Sequence, residues 1–244
     1  MVEGERAIRR ALGDGWQLES VLMLEAKAAA LGRDLEGREL EERVGAVLVA
    51  PPEIVEAVTG FPFHRGALAI CRRRPSRDFR ELAAGTTLVL VVEAVNDHEN
   101  MGALFRNAAA FGAGAVLLDP SCCDPLYRRS VRVSLGNVLA VPFATVRPWP
   151  DSLEAIRGDG FTLVALTPSG GTSLDDAARN CAATAGKLAV MVGSEDQGLS
   201  EGALAAAGIR VRIPMAEGVD SLNVATAAAV ALSRLRPGGG PHLV

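Results

Sequence analysis

Aromatic residues are scarce in this chain, 4% of 244 positions with a single Tyr, which argues against a β-sandwich filled by aromatic rings. Hydrophobic residues still make up 49%, and Ala, Val, Leu and Gly dominate, as suits a parallel α/β sheet under closely packed helices. Cysteine is limited to Cys71, Cys122, Cys123 and Cys181. None makes a CxxC pair and no His stands at metal-ligand spacing from them, so no metal site is expected. The His residues are His64, His98 and His242, and no GxSxG elbow precedes a helix, which leaves Ser-His-Asp chemistry poorly supported. The Gly-rich stretch 167–172 lacks the Lys of a P-loop, and Gly112-Ala113-Gly114 follows a helix pattern and precedes a strand, the reverse of a dinucleotide fingerprint. The chain opens on charged residues without a signal-like apolar run, and its alanine-rich end is too short to span a membrane. A reducing cytoplasm is the expected compartment.

Basic residues do not dominate either, since the net charge is −4. They are clustered, however. Between His64 and Arg80 stand Arg65, Arg72, Arg73, Arg74, Arg77 and Arg80 against Asp78 alone. Charge leaves two readings open there, a phosphate-holding patch or an Arg-rich linker kept soluble by its charge.

What is present reads as two α/β segments. The first predicts helix Glu3–Leu12, strand Leu18–Leu24, helix Ala26–Gly32, strand Val44–Ala50, helix Glu53–Thr59 and strand Ala67–Arg72, with Pro51-Pro52 opening the third helix and Gly60 closing it. Residues 1–75 form this small domain, and 76–85 is the expected linker, because Arg73–Asp78 breaks the pattern. In 86–244, strands are predicted at Leu88–Val92, Ala115–Leu118, Val138–Phe143, Phe161–Leu166, Leu188–Val192 and Ile209–Ile213. Helices are predicted between them at Gly102–Phe111, Tyr127–Leu135, Ser152–Arg157, Leu174–Arg179 and Ser200–Ala206, with a terminal helix Ser221–Leu235. Continuous apolar strands alternating with helices predict a parallel, doubly wound sheet, whose ligands sit off the carboxyl ends of strands. The loops after Val92, Leu166, Val192 and Ile213 are therefore the candidate sites.

In the first of these loops, Asn100 is placed as an ordinary helix N-cap, and Gly102 admits close approach of a backbone or phosphate. Arg106 follows among Phe105, Ala108 and Ala109, where a guanidinium needs an anionic partner or an exit to solvent. In the loop after Val192, Gly193 suits close approach of a ligand and Glu195 is a candidate acceptor; an ordinary turn with acids at a helix start is the competing reading. Beyond Ile213-Pro214-Met215, Ser221 is a plausible N-cap whose helix start can receive an anion. From Val224 to Leu232 the terminal helix is small or apolar on every side, so it is expected to be buried all round.

Together these stretches resemble the SpoU (TrmH-type) branch of the SPOUT methyltransferases. Asn100-x-Gly102-x-x-x-Arg106 with Ala109 and Phe111-Gly112 is similar to the first family motif. Gly193-x-Glu195-x-x-Gly198-Leu199 is similar to the second, and Ile213-Pro214-Met215 with Ser221-Leu222-Asn223-Val224-Ala225 to the third. Phe63-His64-Arg65-Gly66-Ala67-Leu68-Ala69 resembles, more loosely, the closing strand of the small substrate-binding domain that precedes the catalytic domain in many members. The resemblance implies a Rossmann-like parallel sheet with a deep C-terminal trefoil knot. It implies S-adenosyl-L-methionine held by Gly193, Ile213 and Leu222, with Leu166, Met215 and Ser221 lining the same pocket. It also implies a homodimer joined through the knotted domain, with Arg106 reaching the partner's active site.

The reaction so implied is methyl transfer to a ribose 2′-hydroxyl of structured RNA, tRNA or rRNA. The motifs contain no His to serve as base, and Arg stays protonated in proteins, so Arg106 is expected to pair with an RNA phosphate or polarise the 2′-oxygen. Asn100 and Asn223 are expected to hold substrate and loops, Glu195 to order the site, and Ser221 to contact cofactor or cap the helix. Arg65, Arg72, Arg73 and Arg74 are expected to grip RNA. An inactive RNA-binding relative of the same fold is the alternative, and it would have lost motif residues that are all present here. A methyltransferase acting on protein or small molecule would leave the N-terminal segment and the Arg cluster without a purpose.

Overall fold

In the computed structural model, residues 1–28, 42–60, 66–168, 171–184 and 186–236 are described. They divide into two compact units. One comprises Met1–Pro75 together with Pro125–Ala140, the other Ser76–Asp124 with Val141–Val244.

The N-terminal unit begins with β1 (Val2–Glu3) and helix α1 (Glu5–Gly13). Ala7, Ile8, Ala11 and Leu12 fall on one side of α1 and are buried, as an amphipathic helix on a sheet requires. There follow β2 (Leu18–Leu24), β3 (Val47–Ala50), α2 (Pro52–Thr59) and β4 (Ala67–Cys71). Proline sits in the first turn of α2, and Gly60 ends it at φ 73°, as the sequence indicated. The sheet runs β1-β4-β2-β3, with β2 antiparallel to β4 and parallel to β3. The expected helix Ala26–Gly32 lies mostly outside the described residues.

The expected linker 76–85 is instead built into the second unit. Asp78 caps α3 (Phe79–Ala84) by accepting the Arg80 N–H at 2.7 Å, and Leu82 and Ala83 enter that unit's core. The next elements are β5 (Leu88–Val92), α4 (His98–Phe111) and β6 (Ala115–Leu118). The chain then adds α5 (Arg128–Val133) and α6 (Asn137–Ala140) to the N-terminal unit. The strand expected at Val138–Phe143 therefore splits. Its first part is α6, opened by Gly136 at φ 79° and by an Asn137 N–H to Ser134 carbonyl bond of 3.0 Å. Only Phe143 enters β7 (Phe143–Thr145).

The rest of the second unit is α7 (Ser152–Gly158), β8 (Phe161–Leu166), β9 (Thr172–Ser173), α8 (Leu174–Thr184), β10 (Lys187–Val192), α9 (Glu201–Ala206), β11 (Ile209–Arg212) and α10 (Val224–Leu235). Among the described residues its seven strands are ordered β7-β6-β5-β10-β8-β11-β9, and all of them pair in parallel. Every residue of β5 and β6 is buried, which explains their uninterrupted apolar sequences. β10 forms late in the chain yet lies between β5 and β8. α10 is not buried on all sides. Val224, Ala225, Ala228, Ala231, Leu232 and Leu235 are covered, while Thr226, Val230 and Arg234 make an exposed stripe. Among the described residues no helix is long and apolar enough to cross a membrane.

Candidate active site

The loops leaving the carboxyl ends of β8, β10 and β11 converge. The loop after β10 folds back on itself: Gly198 N–H donates to the Ser194 carbonyl at 2.9 Å, and Gln197 N–H to Ser194 Oγ at 3.3 Å. Gly193 is required by this turn. A Cβ there would stand 2.1 Å from the Gly198 carbonyl carbon and 2.3 Å from the Leu199 nitrogen. Gly198 itself lies at φ 68°, where glycine avoids the strain of a Cβ.

The folded loop presents Glu195 to two asparagines. Asn100 Nδ2 donates to Glu195 Oε2 at 2.9 Å. Asn223 Nδ2 donates to Glu195 Oε1 at 2.7 Å and to Asn100 Oδ1 at 2.8 Å. The polarity of this network follows from a helix start. Asn223, not Ser221, is the N-cap of α10, and its Oδ1 accepts the N–H groups of Ala225 at 3.1 Å and Thr226 at 3.2 Å. With its oxygen so engaged, its amide nitrogen must face outward as a donor, and acceptors on Glu195 and Asn100 answer it. Asn100 is not the cap of α4 either. Asp97 Oδ1 takes the N–H groups of Glu99 and Asn100, each at 2.8 Å, because Asp97 has the extended backbone of an N-cap and Asn100 already lies in the first turn.

Two cavities share the Glu195 loop. The larger, about 360 Å³, is lined by Leu166, Gly193, Ile213, Met215, Ser221 and Leu222 among others, so all six residues expected around a cofactor meet there. Ser221 is exposed at its rim. The smaller, about 270 Å³, is bounded by Asn96, Asp97, Asn100, Glu195 and Gln197, with Val224 common to both. The first is mainly apolar-walled and the second mainly polar, with the network at their junction.

The sequence pattern of the SpoU rRNA methylase family matches residues 87–233, a span containing all three converging loops. The chain belongs to that family. An uncharacterized tRNA/rRNA methyltransferase of Mycobacterium bovis is 42% identical over 245 residues, all of this chain and 82% of that protein. The 23S rRNA (guanosine-2′-O-)-methyltransferase RlmB of Acinetobacter baylyi is 32% identical, covering 88% of this chain and 92% of its own. Among solved structures, the AdoMet-bound rRNA methyltransferase of Sinorhizobium meliloti aligns with TM-score 0.80 and 25% identity over 96% of this chain and 85% of that one.

In this SpoU family member Arg106 takes the solvent exit. It is exposed on α4, and among the described residues no ion pair or hydrogen bond ties it to the network. Gly102 is buried within the same helix. Of the arginines expected to grip RNA, Arg65 lies outside the described residues. Arg72 pairs with Glu19 at 3.4 Å, and Arg74 lies 4.4 Å over the Trp16 ring and donates to the Asp14 carbonyl. Arg73 is exposed.

Two buried acids escape the sequence reading. Glu93, at the end of β5, accepts Trp149 Nε1 at 2.6 Å and the Ser200 N–H at 2.9 Å, tying the start of α9 to the central sheet. Asp119, at the end of β6, accepts the Ala94 N–H at 2.9 Å and Ser121 Oγ at 2.5 Å. Burial pushes the Asp119 carboxyl up, but bonds from Ser121, Ala94 and Cys122 outweigh it and hold the group below its usual range. It steadies Ala94, whose φ of 56° is uncommon for a residue with a Cβ. The available signal was an acid directly after a buried strand, which sequence alone does not separate from a turn residue.

Proposed function

We propose that the protein transfers a methyl group from S-adenosyl-L-methionine to a ribose 2′-hydroxyl of structured RNA, tRNA or rRNA. The observation that carries this reading is the Asn100–Glu195–Asn223 network at the junction of an apolar cavity and a polar one. The larger cavity suits a cofactor with an apolar body and few polar handles. Its volume falls in the range of small-molecule sites, and Leu166, Ile213, Met215 and Leu222 give it apolar walls beside the backbone of 193–198. The solved relative of Sinorhizobium meliloti carries AdoMet, and the Acinetobacter relative is named for 2′-O-methylation.

S-adenosylmethionine would supply an electrophilic methyl group on sulfur. The chain's own residues bind and align. Leu166, Met215 and Ser221 line the cofactor side, with Gly193, Ile213 and Leu222 contributing backbone. Asn100 fixes the acceptor ribose through its second amide N–H, and Asn223, whose two N–H groups are already given to Glu195 and Asn100, holds that arrangement in place. Glu195 orders both amides, since each of its oxygens already accepts an N–H. Alignment of the two reactants supplies much of the acceleration. Arg106, permanently charged, pairs with an RNA phosphate or polarises the 2′-oxygen.

In this reading the terminal segment closes a deep trefoil knot. The insertion of β10 between β5 and β8 and the return of α10 onto α4, α8 and β10 support it. The exposed stripe Thr226, Val230 and Arg234 on α10 supports a homodimer in which Arg106 reaches the partner's active site.

Calorimetry with S-adenosylmethionine and a methyl-transfer assay on bulk tRNA and rRNA test the function together. Wild-type protein binds the cofactor and methylates 2′-oxygens, whereas Arg106→Ala binds it equally and transfers no methyl. Mixed Arg106→Ala and Glu195→Gln protomers recover part of the activity, because one site of each heterodimer carries neither defect. Absent cofactor binding, or full activity of Arg106→Ala, would sink the reading.

A further inference from the structure

An acidic protein gathers positive charge on its N-terminal unit. Net charge is −4, yet α1 and α5 carry Arg6, Arg9, Arg10, Arg128, Arg129 and Arg132 against Glu5. The neighbouring acids are already matched. Glu3, buried at the end of β1, accepts Arg128 Nε at 3.1 Å and Nη2 at 2.9 Å. Glu5 accepts Arg9 Nε at 3.2 Å and Nη2 at 2.8 Å, and Lys27 Nζ lies 3.8 Å from its other oxygen. Arg10 donates to the Asn137 side chain.

Arg6 and Arg132 stand apart from this pairing. They line one cavity of about 290 Å³, walled by Glu3, Gly4, Glu5, Ala7 and Leu135. Among the described residues neither guanidinium makes a hydrogen bond or an ion pair. The cavity also lies at the start of α1, whose N-cap Gly4 supplies no side-chain bond to the helix N–H groups, so that helix end too favours an anion. Two unmatched guanidiniums repel across a shared space unless an anion enters it, and their forked donors fit phosphate oxygens. Arg6 is exposed and Arg132 half-buried, so the site straddles the surface. That geometry suits a phosphate carried on a polymer better than a free ion sequestered in a core.

We infer that Arg6 and Arg132 form a backbone-gripping surface for the RNA substrate, where the start of α1 meets α5. The inference rests on the RNA-methylating reading and states where the N-terminal unit holds that RNA. Arg72 and Arg74, by contrast, are engaged with their own unit.

Fluorescence anisotropy of full-length protein on fluorescein-labelled bulk tRNA and 23S rRNA fragments, over a salt series, tests it. Arg6→Ala and Arg132→Ala each weaken binding roughly tenfold, and the double variant lowers the slope of log K against log salt by about 2. Arg132→Lys loses less than Arg132→Ala. Arg6→Glu loses more than Arg6→Ala, and decides the matter by itself if position 132 proves needed for folding. Thermal midpoints and S-adenosylmethionine affinity stay at wild type. Wild-type affinity and salt slope in the double variant and in Arg6→Glu overturn the inference while leaving the function intact. So does low-millimolar inorganic phosphate that abolishes the difference between wild type and variants at constant ionic strength, because the pocket then belongs to the free ion. A wild-type protein that binds neither RNA removes the functional reading and this inference together.

Discussion

Helices α4 and α10 deliver side chains to the same network but start in different ways. At α4 the work is divided: Asp97 caps the helix, and Asn100, within the first turn, turns its amide to Glu195 and Asn223. At α10 both jobs fall on Asn223, which caps with its oxygen and reaches the network with its nitrogen. The difference sets how far a lesion spreads. Damage to the α4 cap costs stability locally, whereas damage to Asn223 costs stability and site order at once.

Four substitutions break or sharpen that contrast. Asn223→Ala removes cap and hub together; unfolding free energy should fall by about 1 kcal/mol and methyl transfer by roughly a hundredfold, the scale of a small misplacement of reactants. Denaturant melts and single-turnover assays check it, and an active variant with a weakened helix would break the link. Asn223→Asp retains a good cap but sets a carboxylate against Glu195. One carboxyl of the pair must then titrate upward, so activity should be about tenfold low at neutral pH and recover as pH falls, when the added proton restores a donor. A flat pH–rate profile would contradict the assigned network polarity. Asp97→Ala should lose about 1 kcal/mol as well, yet change transfer only a few-fold, since Asn100 keeps both its partners. Equal activity losses for Asp97→Ala and Asn223→Ala would erase the distinction. Ser221→Ala should leave thermal stability within about 0.5 kcal/mol, because Ser221 caps nothing.

The central strands are readable because burial on both faces leaves its mark at every position. Leu88–Val92 and Phe161–Leu166 agree residue for residue with β5 and β8. Val138-Leu139-Ala140 misleads because a short apolar run fits a buried strand and a buried helical turn equally; Gly136 and Ser134 select the turn. The helix starts mislead by a few residues, since Asp97 and Asn100 are both good caps and only the backbone path chooses between them. Residues of the three motifs are recognisable singly, but Asn100 and Glu195 are 95 positions apart, and no local pattern announces a bond across that distance. Gly193 was identifiable as a position intolerant of a side chain, but the cause, the backbone of Gly198 and Leu199, is not. Arg6 and Arg132 look like ordinary helix-surface charges until the fold brings them to one cavity.

The N-terminal unit borrows Pro125–Ala140 from the middle of the chain, and this has a bearing on the order in which the protein is made. Trp16 Nε1 gives its hydrogen bond to the Leu139 carbonyl at 2.8 Å, buried Glu3 waits for Arg128, and Gly136 packs where a Cβ would lie 3.1 Å from the Ala7 Cα. Of the two units, the one that starts earlier in the chain therefore cannot be finished from its first segment alone. It stays short of two helices until residue 140 has emerged, with β5, α4 and β6 of its neighbour already synthesised. Nor can it be exchanged between relatives by a single cut after Pro75, because such a cut parts Glu3 and Trp16 from the groups that satisfy them.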